Sequence, residues 1–291
     1  MRAFAYERPS RIDEAVALLA EHGPDARLLA GGTDLIIRIR DRTLQPRVVV
    51  DVKRIEGLDD GIRALDAGDG LVIGARAVMT TIAADERIRR DHQALADGAA
   101  VVGSVQIRNR ATLAGNLCNA SPAADTVPAL LVDDARVVVH GPSGARRIPI
   151  DAFLVRSGVT TLAGDELVTA IELPTPPGPR GTVSVRRTRR RGHDLASVTL
   201  AVAVTADGVT RLAYGSLGPR PLLVADDAGV LADPSATDRA KLERLEALFV
   251  DASPSATSMR ASPEYRLAML HVLGLRAVAT AIERLRAATA A

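Results

Sequence analysis

A proline-rich segment divides this sequence of 291 residues into two parts with different patterns. The segment covers residues 174–179 and reads Pro-Thr-Pro-Pro-Gly-Pro, which continues neither a helix nor a central strand. Before it, short apolar runs alternate with helical patterns. After it, runs typical of strands come first and helical patterns second. This order predicts an α+β chain with one domain over residues 1–175 and another over residues 180–291.

The first part divides again near residue 53. Ser10 is predicted to open a helix that ends near Gly23, because Asp13 and Glu14 fall in its first turn. Together with the elements that follow, this helix predicts a β-α-β-like subdomain over about residues 1–53, with strands at 26–30 and 48–52 and a helix at 35–40. Residues 54–175 form the second subdomain, with predicted strands at 71–74, 134–140, around 148 and at 166–173, and one loose helix from residue 80 toward 100.

The second part begins with three segments of strand propensity, at residues 183–187, 197–205 and 210–217. Asp207-Gly208 lies between the last two, and this dipeptide is typical of a tight β-hairpin turn. Helical patterns follow over residues 238–249 and from Pro263 to the end of the sequence.

Composition limits the chemistry that this chain can perform by itself. Its one cysteine, Cys118, excludes an intrachain disulfide, a Cys₄ zinc site and an iron–sulfur cluster ligated by this chain alone. A net charge of +2 argues against a protein dedicated to binding nucleic acid. The N-terminus lacks the apolar stretch of a signal peptide, and no run of about 18 apolar residues occurs. We therefore expect a cytoplasmic protein without a membrane span.

Two glycines follow the predicted strand at residues 26–30, in the segment Leu28-Leu-Ala-Gly-Gly-Thr-Asp-Leu35. Glycine permits positive φ and a close approach of backbone to ligand, so consecutive N–H groups can form a concave site for phosphate oxygens. A plain tight turn is the alternative interpretation. We call residues 30–35 the first loop.

A second segment, residues 107–125, consists mainly of small, hydroxyl and amide residues without a helical or strand period. Its backbone could lie against a diphosphate, with Thr112 and Asn116 donating hydrogen bonds and Asp125 accepting them from sugar hydroxyls. The alternative is a polar surface loop, although about twenty residues without periodicity is long for a compact domain. We call residues 112–116 the second loop.

The two loops together resemble those of a known family. Ala30-Gly-Gly-Thr-Asp34 and Thr112-Leu-Ala-Gly-Asn116 are similar to the two pyrophosphate loops of the FAD-binding subunit of molybdenum hydroxylases, the carbon monoxide dehydrogenase/xanthine dehydrogenase family. The family's second loop usually reads Thr-Ile-Gly-Gly-Asn. Other segments resemble the family in the same order, namely Tyr6 and Pro9, residues 106–110, 119–125 and 164–167, and residues 263–266. Neither G-x-G-x-x-G after a strand nor a P-loop occurs, so a Rossmann site is not indicated.

The resemblance implies a vanillyl-alcohol-oxidase-like (PCMH-type) FAD-binding domain of two α/β subdomains with the FAD diphosphate between them. An α+β domain of the carbon monoxide dehydrogenase flavoprotein type would follow. Leu195 falls where some relatives place a tyrosine against the isoalloxazine. Ala114 stands where the family usually has glycine, and alanine there would cost about 1 kcal/mol of stability if the position needs φ > 0. The residues assigned to FAD are Ala30, Gly31, Gly32, Thr33, Asp34, Leu35, Thr112, Ala114, Gly115 and Asn116 at the diphosphate, Asp125 at the sugar, and Leu167 and Arg187 near the flavin.

The resemblance also implies an electron-transfer subunit that is not catalytically complete alone. A large subunit with a molybdopterin cofactor would hydroxylate the substrate, and a small subunit with two [2Fe–2S] clusters would relay the electrons. This chain would pass them through FAD to an external acceptor. The expected assembly is a dimer of heterotrimers, and neither catalytic nor metal-binding residues are expected in this chain.

Two other functions are compatible with parts of the sequence. A stand-alone flavin oxidase or reductase of the same fold would need a general base at the flavin, and neither loop contains a histidine. A nucleic-acid-binding module would rest on the arginine run at residues 186–191, which is also typical of a solvated strand edge. The five histidines are expected at surface or capping positions. Cys118 is expected to be a packed, buried thiol, and FAD binding is expected to be non-covalent.

Overall fold

A computed structural model describes residues 2–65, 68–190, 192 and 194–290 of the chain. Its N-terminal part contains β1 (Ala5–Glu7), α1 (Ile12–His22), β2 (Ala26–Leu29), α2 (Leu35–Arg40) and β3 (Val48–Asp51), with 3₁₀ turns at Gly23–Asp25 and Val52–Arg54. The three strands form a parallel sheet in the order β1-β3-β2, and all four residues of the central strand β3 are buried. The helix α1 begins two residues after Ser10, whose amide donates to the Glu14 carboxylate at 2.8 Å.

The next part is built on an antiparallel sheet. Its elements are β4 (Ile62–Ala64), β5 (Gly70–Gly74), α3 (Met79–Ala84), α4 (Glu86–Asp91), α5 (Gln93–Ala100), α6 (Val105–Arg108), α7 (Leu113–Cys118), α8 (Val127–Val132), β6 (Arg136–Gly141), β7 (Gly144–Pro149), α9 (Ile150–Phe153), β8 (Leu154–Arg156), β9 (Val159–Thr160) and β10 (Leu167–Pro174). The strand order is β4-β5-β10-β6-β7, with β8 and β9 paired separately. Ile73, Val137 and Ile171 on neighbouring strands have no exposed surface, so one face of this sheet lies in the core.

Two predictions for this part are wrong in detail. The single loose helix from residue 80 to 100 is three helices. The Asp85 carboxylate accepts the N–H groups of Arg87 and Ile88 and starts the second, and His92 stands between the second and the third. The aperiodic segment at residues 107–125 contains the helix α7, for which the Thr112 side chain is the N-cap. A helix of six residues is too short for an apolar period to reveal it in the sequence.

The C-terminal part has strands first and helices second, as the sequence predicts. Its elements are β11 (Arg180–Thr188), β12 (Ala196–Thr205), β13 (Thr210–Gly215), β14 (Leu222–Asp226), α10 (Asp238–Leu248) and α11 (Pro263–Ala290). The strands form an antiparallel sheet in the order β11-β12-β13-β14. The hairpin at Asp207-Gly208 is confirmed, because the Thr205 amide donates to Val209 at 3.0 Å and Gly208 has φ +88°.

The helix α11 lies along this sheet. Gly181 in β11 permits the contact, because a Cβ there would overlap the carbonyl of Ala281 in the helix. Leu270, Ala277 and Ala281 on the helix are fully buried. By length and composition alone α11 could cross a membrane, and the core helix of a water-soluble domain meets the same criterion.

Strand β12 is buried on both faces. Val198, Leu200 and Val202 face a core shared with α10 and α11, whereas Ala201 and Ala203 belong to the core of the N-terminal parts. Since successive residues of a strand point to opposite faces, the small alanines let the C-terminal sheet lie close to the helices of the first domain. The α+β architecture agrees with the prediction, and the two main cores fall largely on either side of the proline-rich segment.

Candidate functional site

The first loop joins β2 to α2 and leaves its backbone N–H groups free. Among the described residues, the amides of Gly31, Gly32, Thr33 and Asp34 have no acceptor. Gly32 has φ +75°, which turns the chain from the strand into the helix. Consecutive free amides at such a turn form a binding site for an anion.

Residues 110–111, which lead into the second loop, lie directly against the first loop. A Cβ on Gly31 would overlap the carbonyl oxygen of Arg110 and lie 3.1 Å from the Cα of Ala111. The structure therefore brings together two glycine-containing segments that are about 80 residues apart in the sequence, and only glycine at position 31 permits this approach.

The second loop is held in place by backbone contacts. The Met79 amide donates to Ala111 at 2.9 Å and the Leu113 amide donates to Ala77 at 3.2 Å, around an isolated bridge between Val78 and Thr112. The Thr112 hydroxyl accepts the Gly115 N–H at 3.0 Å, so its own proton remains available to a ligand.

Ala114 and Asn116 follow within α7. Ala114 lies inside the helix and is not among the residues with positive φ, so the possible strain at this position does not arise. Asn116 Oδ1 accepts a hydrogen bond from the Thr126 hydroxyl at 2.8 Å. Its amide nitrogen has no partner among the described residues and is available to donate to a ligand.

The segment after the second loop contacts both the first domain and the C-terminal sheet. The Ala120 carbonyl accepts the Gly158 amide at 3.0 Å, and the Pro122 carbonyl accepts the Ser216 amide at 2.7 Å. Asp125, at the end of this segment, accepts a hydrogen bond on Oδ2 from Arg186 Nη1 at 2.9 Å, while its Oδ1 is buried without a partner. Burial raises the pKa of Asp125 to about 6, although the Arg186 charge opposes the shift.

Leu167 and Arg187, the two residues predicted to lie near the flavin, are outside the two loops. Leu167 is 1% exposed and packs against Val16, Leu19 and Ala26, so it supports the small subdomain rather than presenting a surface to a ligand. Arg187 is exposed, and its Nε donates to the Tyr265 hydroxyl at 2.8 Å on the side of α11. Contact of either residue with a flavin stays a prediction, whereas Leu195 is 51% exposed and has surface available to a ligand.

Two residues near the site, Arg186 and Asp51, were not among those that the sequence analysis assigned to FAD. Asp51, at the end of β3 beside the first loop, is 3% exposed and accepts hydrogen bonds from Lys53 Nζ at 2.6 Å and from the Tyr6 hydroxyl. Burial would raise the pKa of Asp51, but these hydrogen bonds outweigh it and hold the pKa below its ordinary value. For Asp51, the available signal was a polar residue at the end of an apolar strand. For Arg186, it was the alternation of side chains between the two faces of β11.

Cys118 is exposed, so the expectation of a buried thiol is wrong. The buried face of α7 consists of Leu113, Ala114 and Leu117, and the next residue in a helix points about 100° away. Surrounding protein atoms nonetheless desolvate the thiol and raise its pKa to about 12. The side chain is therefore reachable from solvent but remains a neutral thiol at physiological pH.

His92 is 1% exposed, so it is no surface residue, but it occupies a capping position, between the end of α4 and the start of α5. Its Nδ1 lies 3.0 Å from Asp133 Oδ2, and Arg180 Nη2 lies 2.7 Å from Asp133 Oδ1, so charged partners stabilise the buried ring. His22, His140 and His271 are partly buried, and His193 lies outside the described residues.

The arginine run begins on the edge strand β11, which holds Arg186 and Arg187 and ends at Thr188, while Arg189 and Arg190 follow the strand. Arg186 and Arg187 make the contacts described above, and Arg190 Nε lies 3.6 Å from Asp194 Oδ2. Arg191 is outside the described residues. The helix α5 covers part of the edge, since the Thr182 hydroxyl accepts the Ala94 amide at 3.0 Å.

A cavity of about 690 Å³ lies elsewhere, over the outer face of the five-stranded sheet. Its lining includes Arg54, Arg76, His140 and Glu172 and none of the residues predicted to bind FAD. The loops, not this cavity, are therefore the candidate site.

Comparison with known proteins shows which family the chain resembles over most of its length. A family model described as "FAD binding domain in molybdopterin dehydrogenase" matches residues 2–176, and another described as "CO dehydrogenase flavoprotein C-terminal domain" matches residues 184–281. The xanthine dehydrogenase FAD-binding subunit of Escherichia coli O157:H7 is 31% identical over 284 residues, which cover 96% of each chain. The carbon monoxide dehydrogenase medium chain of Hydrogenophaga pseudoflava is 30% identical over 97% of this chain and 98% of its own.

Solved structures show the same likeness. A chain of carbon monoxide dehydrogenase from Hydrogenophaga pseudoflava, lacking the Mo-pyranopterin moiety, superposes with a TM-score of 0.88 at 30% identity and covers 97% of this chain and 98% of that chain. A chain of reconstituted carbon monoxide dehydrogenase from Oligotropha carboxidovorans has a TM-score of 0.88 at 30% identity, with 97% and 99% covered. The chain therefore belongs to the FAD-binding oxidoreductase subunits of the molybdenum hydroxylases, the carbon monoxide dehydrogenase/xanthine dehydrogenase family.

Proposed function

We propose that this chain receives electrons from a small [2Fe–2S] subunit and delivers them, through its FAD, to an external acceptor. A large subunit with a molybdopterin cofactor would oxidise the substrate. The observation that carries the proposal is the contact of Gly31 in the first loop with Arg110, two residues before the second loop, which brings the two loops together.

The residues of this site fit the diphosphate of FAD. The free amides at residues 31–34 can donate to its oxygens, and the Thr112 hydroxyl and the Asn116 amide nitrogen add donors from the second loop. The orphaned Oδ1 of Asp125 supplies an acceptor for a sugar hydroxyl. Both kinds of polar partner that FAD needs are therefore present in this chain.

The redox chemistry belongs to FAD, which when bound can take up electrons singly and release them in pairs. The residues of this chain bind and orient the cofactor. Leu195 is exposed and offers an apolar contact for the flavin. Few aromatic side chains could do so instead, since Phe, Trp and Tyr make up 2% of the sequence.

We infer further that the chain works in a dimer of heterotrimers in the cytoplasm. One cysteine cannot ligate a [2Fe–2S] cluster, which supports a separate iron–sulfur subunit, and a chain with one cysteine suits a reducing compartment. The dimer of heterotrimers rests on the family resemblance. We also propose the domain limits at residues 1–175 and 180–291, with the subdomain limit near residue 53.

The test compares the isolated chain with the assembly purified from its native host. The isolated chain should show an FAD absorption spectrum, yet its flavin should not be reduced by a molybdenum-hydroxylase substrate. Adding the two partner polypeptides, with iron and molybdenum verified by elemental analysis, should restore substrate-dependent bleaching of the flavin bands. Turnover by the single chain, free of iron and molybdenum, would instead establish a stand-alone flavoenzyme. A colourless chain that binds nucleic acid would instead indicate a nucleic-acid-binding module.

A further inference from the structure

Among the described residues, four ion pairs connect the two domains, and all have the same polarity. In each, an arginine of the C-terminal domain meets an aspartate of the first domain, namely Arg180–Asp133 at 2.7 Å, Arg186–Asp125 at 2.9 Å, Arg284–Asp97 at 2.6 Å, and Arg211–Asp134. Three of the pairs lie away from the two loops in sequence. Asp125 alone among the four aspartates ends the segment that follows the second loop.

The two oxygens of Asp125 have different surroundings. Oδ2 accepts the hydrogen bond from Arg186, while Oδ1 is buried with no partner. Asp133 Oδ1 is likewise buried without a hydrogen-bond partner, but Arg180 Nη2 lies 2.7 Å from it and His92 Nδ1 lies 3.0 Å from Oδ2. The hydrogen bond from Arg186, in contrast, reaches only Oδ2 of Asp125. A buried carboxylate oxygen without a partner is costly, so its retention indicates a donor that arrives with a ligand.

We propose that Arg186 is a positioning residue for the cofactor, which holds Asp125 as a carboxylate and turns Oδ1 toward a hydroxyl of the sugar portion of FAD. The inference rests on the proposed function, since it assumes that FAD occupies the site. Arg186 itself does not contact the cofactor in this arrangement.

The surroundings of Asp125 explain why a cation is needed. Burial favours the neutral acid and brings the pKa of Asp125 to about 6 even with Arg186 present. On the packed side, α5 contributes the backbone at Gly98, where a Cβ would lie 2.7 Å from the Asp125 carbonyl oxygen. The nearest acid on α5, Asp97, is already paired with Arg284. Among the described residues, Arg186 is the charged side chain that faces Asp125.

Alternation along β11 makes the assignment specific to Arg186. The side chain of Arg186 points to the first domain, and that of the next residue, Arg187, points to Tyr265 on α11. Only one of the two arginines can therefore act on Asp125.

The experiment measures FAD affinity of the full-length chain by flavin fluorescence between about pH 5 and pH 8. A hydroxyl that donates to the carboxylate requires its ionised form, so affinity should rise as the pH rises through the Asp125 titration. Arg186→Gln removes the charge that lowers the pKa, so the midpoint should move to higher pH and affinity at pH 7 should fall about tenfold or more. Arg186→Lys should keep a midpoint close to that of the wild type.

Arg211→Gln is the matched control, because it breaks another interdomain pair that lies away from the loops. It should lower the melting temperature without moving the midpoint. Asp125→Asn should give a flat pH profile, and it decides the question if Arg186→Gln does not fold. The proposal is overturned if Arg186→Gln keeps the wild-type profile, if Arg211→Gln moves the midpoint equally, or if Asp125→Asn remains pH-dependent. Failure of the wild type to bind FAD at any pH would overturn the proposed function itself.

Discussion

Gly31 lies so close to Arg110 that the missing side chain of the one makes room for the backbone carbonyl of the other. This contact aligns the free amides of the first loop with the capped helix start of the second. The candidate site thus depends on a pair of residues that share no local sequence pattern.

Gly31→Ala should separate the two loops, because the added Cβ meets backbone atoms that cannot rotate away. We expect FAD affinity to fall at least about tenfold and the free energy of unfolding to fall by about 1–3 kcal/mol. Isothermal titration with FAD and urea unfolding measure the two effects. Gly178→Ala is the control, since a Cβ there meets no atom within 4 Å. Equal FAD affinity of Gly31→Ala and the control would contradict the proposed contact.

Gly32→Val tests a different requirement of the same loop. Here the constraint is φ +75°, while the nearest neighbours of a Cβ are side-chain atoms of Leu29 at 3.0 Å and Ile36 at 3.3 Å. The strain should cost about 1–2 kcal/mol of stability, whereas FAD affinity should fall far more, because the valine side chain stands where backbone approaches the diphosphate. The FAD content of the purified variant and its melting temperature measure this. A variant with full FAD content would remove the loop from the site.

FAD should be bound non-covalently. Cys118 is the only cysteine, and its pKa of about 12 keeps the thiol from forming the thiolate that attacks a flavin. Although this thiol is exposed rather than buried, the expectation is unchanged. Precipitation with acid should leave the yellow colour in the supernatant. Colour retained on the washed pellet, and lost in Cys118→Ser, would show a covalent bond.

Asp133→Asn should destabilise the interface of the two domains. Burial would raise the pKa of Asp133, but the Arg180 charge and the His92 hydrogen bond outweigh it and lower the pKa. Such a group contributes stability above its unfolded pKa of about 3.9, and that stability is lost as the pH falls through the lower folded value. Removing it leaves the buried Arg180 charge without its carboxylate partner, so we expect a loss of about 3–5 kcal/mol at pH 7.

The measurement for Asp133 is urea unfolding at pH 7 and in the acid range. The variant should lose less stability than the wild type as the pH falls below about 4. Glu243→Gln breaks the exposed pair with Arg239 and should cost under about 0.5 kcal/mol. If the two variants were equally stable, the buried pair would contribute no more than a surface one.

Much of the fold could be predicted from the sequence because its signals are local. Prolines at residues 174–179 mark the boundary between two patterns, and Asp207-Gly208 specifies a hairpin whatever surrounds it. The prediction failed where the signal is shorter than one period of an element, as for α7, or where a single cap divides a helical run, as at Asp85. The structure gives the positions of the residues assigned to FAD, but their contacts with FAD stay predictions.

The sequence by itself determined the family, the order of the elements and the two loops, because glycine, proline and hydroxyl residues act on the backbone at the positions where they occur. Only the tertiary structure decided which side chain faces which neighbour. It directs Arg186 rather than Arg187 to Asp125, buries His92 and exposes Cys118. The physical reason is that these outcomes depend on strand register and helix rotation, which are determined by the sum of many contacts between segments far apart in the chain.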